Sequence, residues 1–398
     1  MSARIRSLAA MAAASALLLS ACGGGGSDGA DSSSPIKVGI IADLTGATGD
    51  VGTPYNEGMK AYIDWRNSEG GIEGRKIEAL SNDYAYEVPK AETLYKQYLN
   101  DEVVAIQGWG TGDTEALSSS VGKDELPFMS GSFAEPLTDP EEAPYNFVVA
   151  PTYSDQMRVA LNWIAEDAGG KSEVAVFHND SPFGTAPVAD GKKWIGEKKL
   201  DLGYTSYAMP GGQQNYVGLL AQAKKQGAKY IVIQNVASPA ALVAKDIAAQ
   251  KLDMKIVCLN WCGNELFIDS AGAKNAEGHM LIQPFAPMSA AKEGHKVISE
   301  YIKAKGIDEK KVGTSWVQGW YAMAIMAGGI EKTLKDGDEL TGANIRKSLE
   351  TMGGQDTGGV VGNGTVEFSA ESHRGSSATG IYTAKDGKMV EVKAGATP

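Results

Sequence analysis

Val103–Thr114 reads VVAIQGWGTGDT, and this stretch decides the fold. A short β-branched run ends in a glycine-rich turn that carries one large aromatic side chain, Trp109. Such a continuous apolar run is typical of a buried parallel strand. The turn leads into a predicted helix over 114–123, which either Thr111 or Asp113 could cap. Backbone N–H groups at such a turn lack hydrogen-bond partners, so the turn is a candidate binding site for a small anion or a carbonyl group. A plain strand–helix turn that binds no ligand has the same pattern.

The overall composition is that of a globular protein. The chain has 398 residues, 43% of them hydrophobic, and a formal net charge of −12. Its length favours two domains. Because an acidic surface repels nucleic acid and anionic lipid headgroups, we expect neither as a partner.

The N-terminus is predicted to be an export signal rather than part of the fold. In residues 1–21, two arginines precede the Ala/Leu-rich run Leu8–Leu19, which is too short to span a membrane. Leu19-Ser20-Ala21-Cys22 then resembles the lipobox of bacterial lipoproteins, in which the cysteine is lipidated after cleavage. The Gly- and Ser-rich segment 22–35 would be a flexible tether. We expect a protein held by a lipid anchor on the extracytoplasmic face of the cell membrane; a plain secretory signal is the alternative.

Two cysteines remain, Cys258 and Cys262. In an oxidising compartment this pair predicts a disulfide that clamps a short loop, with two buried thiols as the alternative. The spacing is not that of a zinc site, and His279 is distant in sequence, so no metal is expected.

Strand-like and helix-like segments alternate along the chain. Strands are predicted at 36–42, 75–82 and 103–108 with helices between them, which indicates a parallel sheet covered on both faces. The alternation starts again after Pro151, and Lys385-Asp386-Gly387 is typical of a hairpin turn. The sequence therefore predicts an α/β fold with two halves.

Common catalytic motifs are absent from the sequence, including the nucleophile elbow, the zinc-protease helix and the phosphate-binding loop. His178, at a strand end beside Asp180, is the best placed residue for acid–base chemistry, but a structural histidine is the more ordinary interpretation. We expect neither an enzyme nor a bound cofactor.

Several segments in fixed order resemble one family, and they are IKVGIIADLTGATGDVG, GGIEGRKIE, VVAIQG, LPFMSGSFAEPLT, VFHNDSPFGTA, NAEGHML and FSAESHRG. Across residues 36–393 the chain resembles the type I periplasmic binding proteins of ABC transporters, in the leucine/isoleucine/valine-binding group. The resemblance implies two Rossmann-like lobes joined by a three-stranded hinge, with the ligand in the cleft between them. It also implies a monomer that delivers its ligand to a permease. The implied lobes are 36–151 plus 284–377 and 152–283 plus 378–398.

The resemblance also implies a ligand site in the strand-end loops of both lobes. Thr111 falls where the family holds a ligand carboxylate through a hydroxyl and an N–H group, and Phe183 stands at a usual tyrosine. The predicted ligand-binding residues are Val51, Trp109, Gly110, Thr111, Ser132, Ala134, Tyr153, Phe183, Asn235, Asn260 and Trp261.

One position departs from the family pattern. Amino-acid binders of this group pair the ligand ammonium with a carboxylate where this chain has Asn260, although Glu265 or Asp180 could substitute. An unpaired ammonium in a closed cleft costs several kcal/mol. Amides, urea-like compounds, aromatic acids and nucleobases are therefore alternatives to a branched-chain amino acid. Trp109 and Trp261 are expected to sandwich a flat ligand, unless both rings belong to the core.

The leading hypothesis is thus a lipid-anchored solute-binding protein of an ABC importer. A ligand-sensing subunit for a membrane receptor or kinase is the second hypothesis. An exported hydrolase that uses His178 and Asp180 is the third.

Overall fold

The computed structural model describes residues 34–398, so the predicted signal peptide, Cys22 and nearly all of the tether lie outside the described residues. The first sheet has five parallel strands in the order β2-β1-β3-β4-β5. Its strands are β1 Ile36–Ala42, β2 Ile77–Asp83, β3 Ala105–Gly108, β4 Phe128–Ser130 and β5 Asn146–Phe147. The helices that alternate with them are α1 Gly49–Ser68, α2 Val88–Asn100 and α3 Thr111–Lys123.

The chain then crosses into a second sheet, which begins with five parallel strands. Its strands are β6 Ser172–Asn179, β7 Leu202–Met209, β8 Ala228–Gln234, β9 Lys255–Cys258 and β10 Met280–Gln283. The helices of this part are α4 Tyr153–Ala168, α5 Pro182–Thr185, α6 Val188–Lys198, α7 Val217–Lys225, α8 Ala237–Ala249, α9 Glu265–Ala271 and α10 Ala273–Ala276. The predicted restart of the α/β alternation is therefore observed.

The chain next returns to the first sheet as three helices and a small two-stranded ladder. These elements are α11 His295–Lys305, α12 Thr314–Lys335, α13 Gly342–Thr351, β11 Gln355–Asp356 and β12 Thr365–Val366. Helix α12 packs so closely on α1 that a Cβ atom at Gly319 would collide with the backbone carbonyl of Tyr55. The Gln107 side chain ties β3 to α12 by donating to the Ala322 carbonyl at 2.9 Å.

A third crossing leads to β13 Thr379–Lys385 and β14 Lys388–Ala396, which complete a seven-stranded sheet in the order β14-β13-β10-β9-β8-β6-β7. Both of these strands are antiparallel to their neighbours. The turn between them contains Asp386 and Gly387, both with positive φ, as a tight hairpin turn requires. We call the five-stranded sheet with α1–α3 and α11–α13 the first lobe, and the seven-stranded sheet with α4–α10 the second lobe.

The fold is thus the predicted α/β arrangement of two lobes joined by three crossings. The residue boundaries of the lobes stay a prediction. Among residues 34–398, none of the helices combines the length and apolar character needed to cross a bilayer.

Candidate functional site

A small cavity lies where the carboxyl ends of strands from both lobes meet. Open α/β sheets bind ligands at this end of their strands. The first lobe contributes Thr48, Tyr86, Trp109, Gly110, Thr111 and Gly131 to its lining. The chain beyond the first crossing contributes Tyr153, Phe183, Val236 and Trp261. The predicted set therefore supplies six of these residues: Trp109, Gly110, Thr111, Tyr153, Phe183 and Trp261.

Trp109 and Trp261 form one wall of the cavity. Their ring centroids are 4.6 Å apart and their planes are inclined by 61°, so the two rings touch directly. In this arrangement the two rings leave no room for a ligand between them, and the expected sandwich stays a prediction. Trp261 also stacks on Phe133, with centroids 5.8 Å apart and planes inclined by 15°.

Hydrogen bonds hold this aromatic wall in place. Trp109 Nε1 donates to Thr48 Oγ1 at 2.8 Å. Trp261 Nε1 donates to the Gly131 carbonyl at 3.1 Å and to the Tyr153 hydroxyl at 3.0 Å. Since Gly131 belongs to the first lobe and Trp261 to the second, the indole N–H joins the two lobes at the cavity.

Helix α3 presents its N-terminus to the cavity. It begins at Thr111 with Gly110 at the N-cap, so neither Thr111 nor Asp113 occupies the capping position predicted for a helix over 114–123. Thr111 Oγ1 and Ser132 Oγ are hydrogen-bonded at 2.8 Å. Because the first N–H groups of a helix lack intrahelical partners and carry partial positive charge, this corner suits a carboxylate or carbonyl oxygen.

A buried carboxyl group lies behind that corner. Asp113 is in the first turn of α3, and its Oδ1 accepts a hydrogen bond from the Tyr84 hydroxyl at 2.8 Å. Its Oδ2 is buried and has no hydrogen-bond partner among the described residues. Burial raises the pKa of Asp113 to about 7.

Four lining residues are not among the predicted ligand-binding residues: Thr48, Tyr86, Gly131 and Val236. Val236 lies in the strand-end loop 235–238, which the resemblance places at the cleft. Tyr86 and its neighbour Ala85 both have positive φ, at 60° and 53°. Left-handed backbone at non-glycine residues is uncommon, is held by the surrounding structure and clusters at ligand sites. In the sequence, only their place directly after a strand indicates that these four residues could line a ligand site.

Thr48 is positioned by the glycine-rich loop after β1. The Asp43 carboxylate accepts hydrogen bonds from the Thr48 N–H group at 2.9 Å and from its hydroxyl at 2.7 Å. The hydroxyl in turn accepts the Trp109 indole N–H. The loop therefore orients the aromatic wall through a single threonine.

The other predicted site residues lie outside the lining. Val51 is buried in α1. Ser132 contacts Thr111, and its Oγ accepts the Ala134 N–H at 3.4 Å. Asn235 Oδ1 accepts the Val236 N–H at 2.8 Å, so it orients a lining residue.

Asn260 takes part in a cluster of amide side chains between the lobes. Its N–H donates to Gln156 at 3.0 Å, and its Nδ2 donates to Gln318 of α12 at 3.2 Å. The Asn260 carbonyl accepts a hydrogen bond from Gln283 at 3.1 Å. Asn260 Oδ1 is buried and has no hydrogen-bond partner among the described residues, and the contact of Asn260 with a ligand stays a prediction.

The described part of the chain places no acidic or basic side chain in the cavity lining. Of the two substitutes for a carboxylate at position 260, Glu265 accepts hydrogen bonds from Thr314, and Asp180 is exposed at the surface. His178, the candidate base of a hydrolase, is bonded through Nδ1 to the Asn179 carbonyl at 2.9 Å and also lies outside the lining. Within residues 34–398, His, Cys, Asp and Glu side chains form no cluster of three or more suited to a metal ion.

The predicted disulfide is not formed. Cys258 and Cys262 are both free and buried. The Cys262 thiol donates a hydrogen bond to the Ile233 carbonyl at 3.4 Å, which needs the reduced form. Burial raises the pKa of the Cys258 thiol, which keeps it protonated and unreactive.

Comparison with known proteins agrees with this geometry. A family model described as periplasmic binding protein matches residues 35–388. The leucine-, isoleucine-, valine-, threonine- and alanine-binding protein of Pseudomonas aeruginosa is 23% identical over 305 residues, which are 76% of this chain and 79% of that protein.

Two solved structures are similar in fold. A branched-chain amino acid ABC transporter protein from Thermus thermophilus with bound valine has a TM-score of 0.85 at 24% identity, covering 90% of this chain and 96% of that one. A fatty acid ABC transporter substrate-binding protein from Thermomonospora curvata has a TM-score of 0.78 at 21% identity, covering 90% and 92%. These two proteins of similar fold are named for chemically different solutes.

Proposed function

The chain belongs to the periplasmic binding protein family, and we propose that it captures a small organic solute between its lobes and delivers it to the permease of an ABC importer. Binding of solutes is the role of its relatives, which include amino-acid-binding proteins. The observation that carries the proposal is a cavity whose lining comes from both lobes. A ligand there contacts both lobes at once, so closure and binding are coupled.

The lining favours a solute with a carbonyl or carboxylate end and an apolar body. Thr111 and the N-terminus of α3 supply hydrogen-bond donors for an oxygen atom, with Ser132 beside them. Trp109, Trp261 and Phe183 supply apolar surface. Because no carboxylate lines the cavity among the described residues, a primary ammonium would be desolvated without a counter-ion. We infer that an amide, a urea-like compound or a small organic acid binds better than an ordinary amino acid.

The cavity is small, which favours a compact solute. A long acyl chain would require the aromatic wall to move.

We further propose that the protein is a monomeric lipoprotein on the extracytoplasmic face of the cell membrane. The support is the sequence of residues 1–35, with Cys22 as the lipidation site. Such a tether would allow the lobes to reach a permease while the lipid holds them near the membrane.

A thermal-shift screen tests the proposed function. The panel contains L-valine, isobutyramide, isobutyrate, benzoate and urea. A ligand present at 100 times its dissociation constant adds about 2.7 kcal/mol to the free energy of unfolding, so we expect at least one amide or acid to raise the melting temperature. A panel in which no compound raises it would contradict the proposal.

A further inference from the structure

The buried carboxyl group of Asp113 lies directly behind the corner that the N-terminus of α3 presents to the cavity. Asp113 is in the first turn of that helix, two residues after Thr111, and it is almost completely buried. A Cβ atom at Gly110 would collide with Asp113 Oδ1. Because Gly110 lines the cavity, the carboxyl group lies against the far side of the cavity wall.

The hydrogen bonds of Asp113 leave one of its oxygen atoms unsatisfied. The Tyr84 hydroxyl donates to Oδ1 at 2.8 Å. Oδ2 is buried and has no hydrogen-bond partner among residues 34–398. A charged carboxylate with a buried, unpartnered oxygen is costly, whereas the neutral carboxyl group pays a smaller desolvation penalty. The geometry therefore favours the protonated form of Asp113.

The titratable groups of the described chain that face Asp113 include no cation. They are Asp43, Tyr84, Tyr86 and Tyr153. Burial raises the pKa of each of the three tyrosines, so these side chains stay neutral. Burial, together with the charge of Asp43, raises the pKa of Asp113 to about 7, although the hydrogen bond from Tyr84 lowers it. Asp113 can therefore gain or lose its proton near neutral pH.

A carboxylate solute at the α3 corner would place a second negative charge close to Asp113. When two carboxylates share a water-poor site, the pKa of one of them rises strongly, because both cannot stay charged. An amide brings no charge and has no such effect. We propose that Asp113 is a specificity-determining residue that takes up one proton from solvent when an organic acid binds, whereas an amide binds without a proton. The inference rests on the proposed function, because it concerns the same cavity.

Calorimetric titration of the wild type with isobutyrate and with isobutyramide between pH 6 and 8.5 tests the inference. The free acid stays charged over this range. Above pH 7 the affinity for isobutyrate should fall by about tenfold per pH unit, while the affinity for isobutyramide stays constant. Titrations at pH 8 in phosphate and in Tris, which differ in their heats of ionisation, measure the proton uptake, which should be about one proton per bound isobutyrate.

Two variants change the protonation of Asp113 in different ways. Asp113→Asn has no titratable carboxyl group and should remove both the pH dependence and the proton uptake. Tyr84→Phe loses a hydrogen bond that favours the charged carboxylate, so the decline in isobutyrate affinity should begin at a higher pH than in the wild type. This second variant tests the inference even if Asp113→Asn fails to fold.

Asp124→Asn is the matched control. Asp124 lies at the other end of α3 and accepts the Tyr95 hydroxyl at 2.9 Å, so this variant loses a similar bond far from the cavity and should keep the pH dependence of the wild type. The inference is overturned if isobutyrate binds with the same affinity at pH 6 and pH 8.5, or if Asp113→Asn keeps the pH dependence of the wild type. If neither compound binds at any pH, the proposed function fails and the inference fails with it.

Discussion

Trp109 of the first lobe and Trp261 of the second touch at the cavity, with ring centroids 4.6 Å apart. The contact is fixed on both sides, by Thr48 for Trp109 and by Gly131 and Tyr153 for Trp261. Lobe closure and the shape of the cavity therefore depend on the same pair of rings.

Trp261→Phe is expected to weaken solute binding. Phenylalanine keeps an aromatic ring in the wall but loses the N–H that joins the lobes, which costs about 1–3 kcal/mol when buried acceptors are left unpaired. Isothermal titration calorimetry measures the change. Trp194→Phe is the control, because it loses an indole hydrogen bond to Asn162 within the second lobe. Equal affinities for Trp261→Phe and the wild type would show that the indole N–H does not contribute to solute binding.

Thr111→Ala is expected to lower affinity by about 1–3 kcal/mol, since its hydroxyl is proposed to contact the ligand oxygen. Thr111→Ser keeps the hydroxyl and should retain most of the affinity. Thr93→Ala, which loses an exposed hydroxyl contact on α2, is the control. If the alanine and serine variants bind equally well, Thr111 does not hold the ligand through its hydroxyl.

Asp113 should make the free energy of unfolding depend on pH. Its pKa is about 7 in the folded protein against 3.8 as an ordinary carboxyl, so the folded state binds more protons between these values. Stability should therefore fall as pH rises from about 4 to 7, by up to about 4 kcal/mol. Asp113→Asn should flatten this dependence.

Urea denaturation at several pH values between 4 and 7.5 measures that dependence. Asp180→Asn changes an exposed carboxylate and should leave the profile like that of the wild type. If the free energy of unfolding depends on pH in the same way for the wild type and Asp113→Asn, the pKa of Asp113 is not raised in the folded protein.

The free thiols give a chemical prediction. Cys258 and Cys262 should resist alkylation in the native protein and react after unfolding, because both are buried. Peptide mapping by mass spectrometry, with and without reductant, measures this. A peptide linked through both cysteines in the unreduced sample would show instead that the disulfide forms.

Much of the fold could be predicted from local pattern. The strand at Ile36–Ala42 and the hairpin turn at Asp386-Gly387 follow from an apolar run and from turn chemistry. Helix α3 begins three residues earlier than predicted, because Gly110 rather than a polar side chain occupies the N-cap. Helix ends depend on tertiary contacts that a short window of sequence does not contain.

The site could be predicted only in part, for a similar reason. Thr111, Phe183 and Trp261 were found because they follow strands in positions that match the resemblance. The sequence does not contain the distance between Trp109 and Trp261, nor the left-handed backbone that turns Tyr86 into the cavity. The contacts of Asn260 could not be predicted either, because its partners, Gln156 and Gln318, are 104 and 58 residues away in the chain.

We propose that the interlobe cavity takes a compact carbonyl or carboxylate solute that has no ammonium group. Calorimetric titration of the wild type with isobutyramide, isobutyrate and L-valine tests it most directly, because the three compounds share one branched body. We expect one binding site per chain and tighter binding of the amide or the acid than of valine. Tightest binding of valine would contradict it.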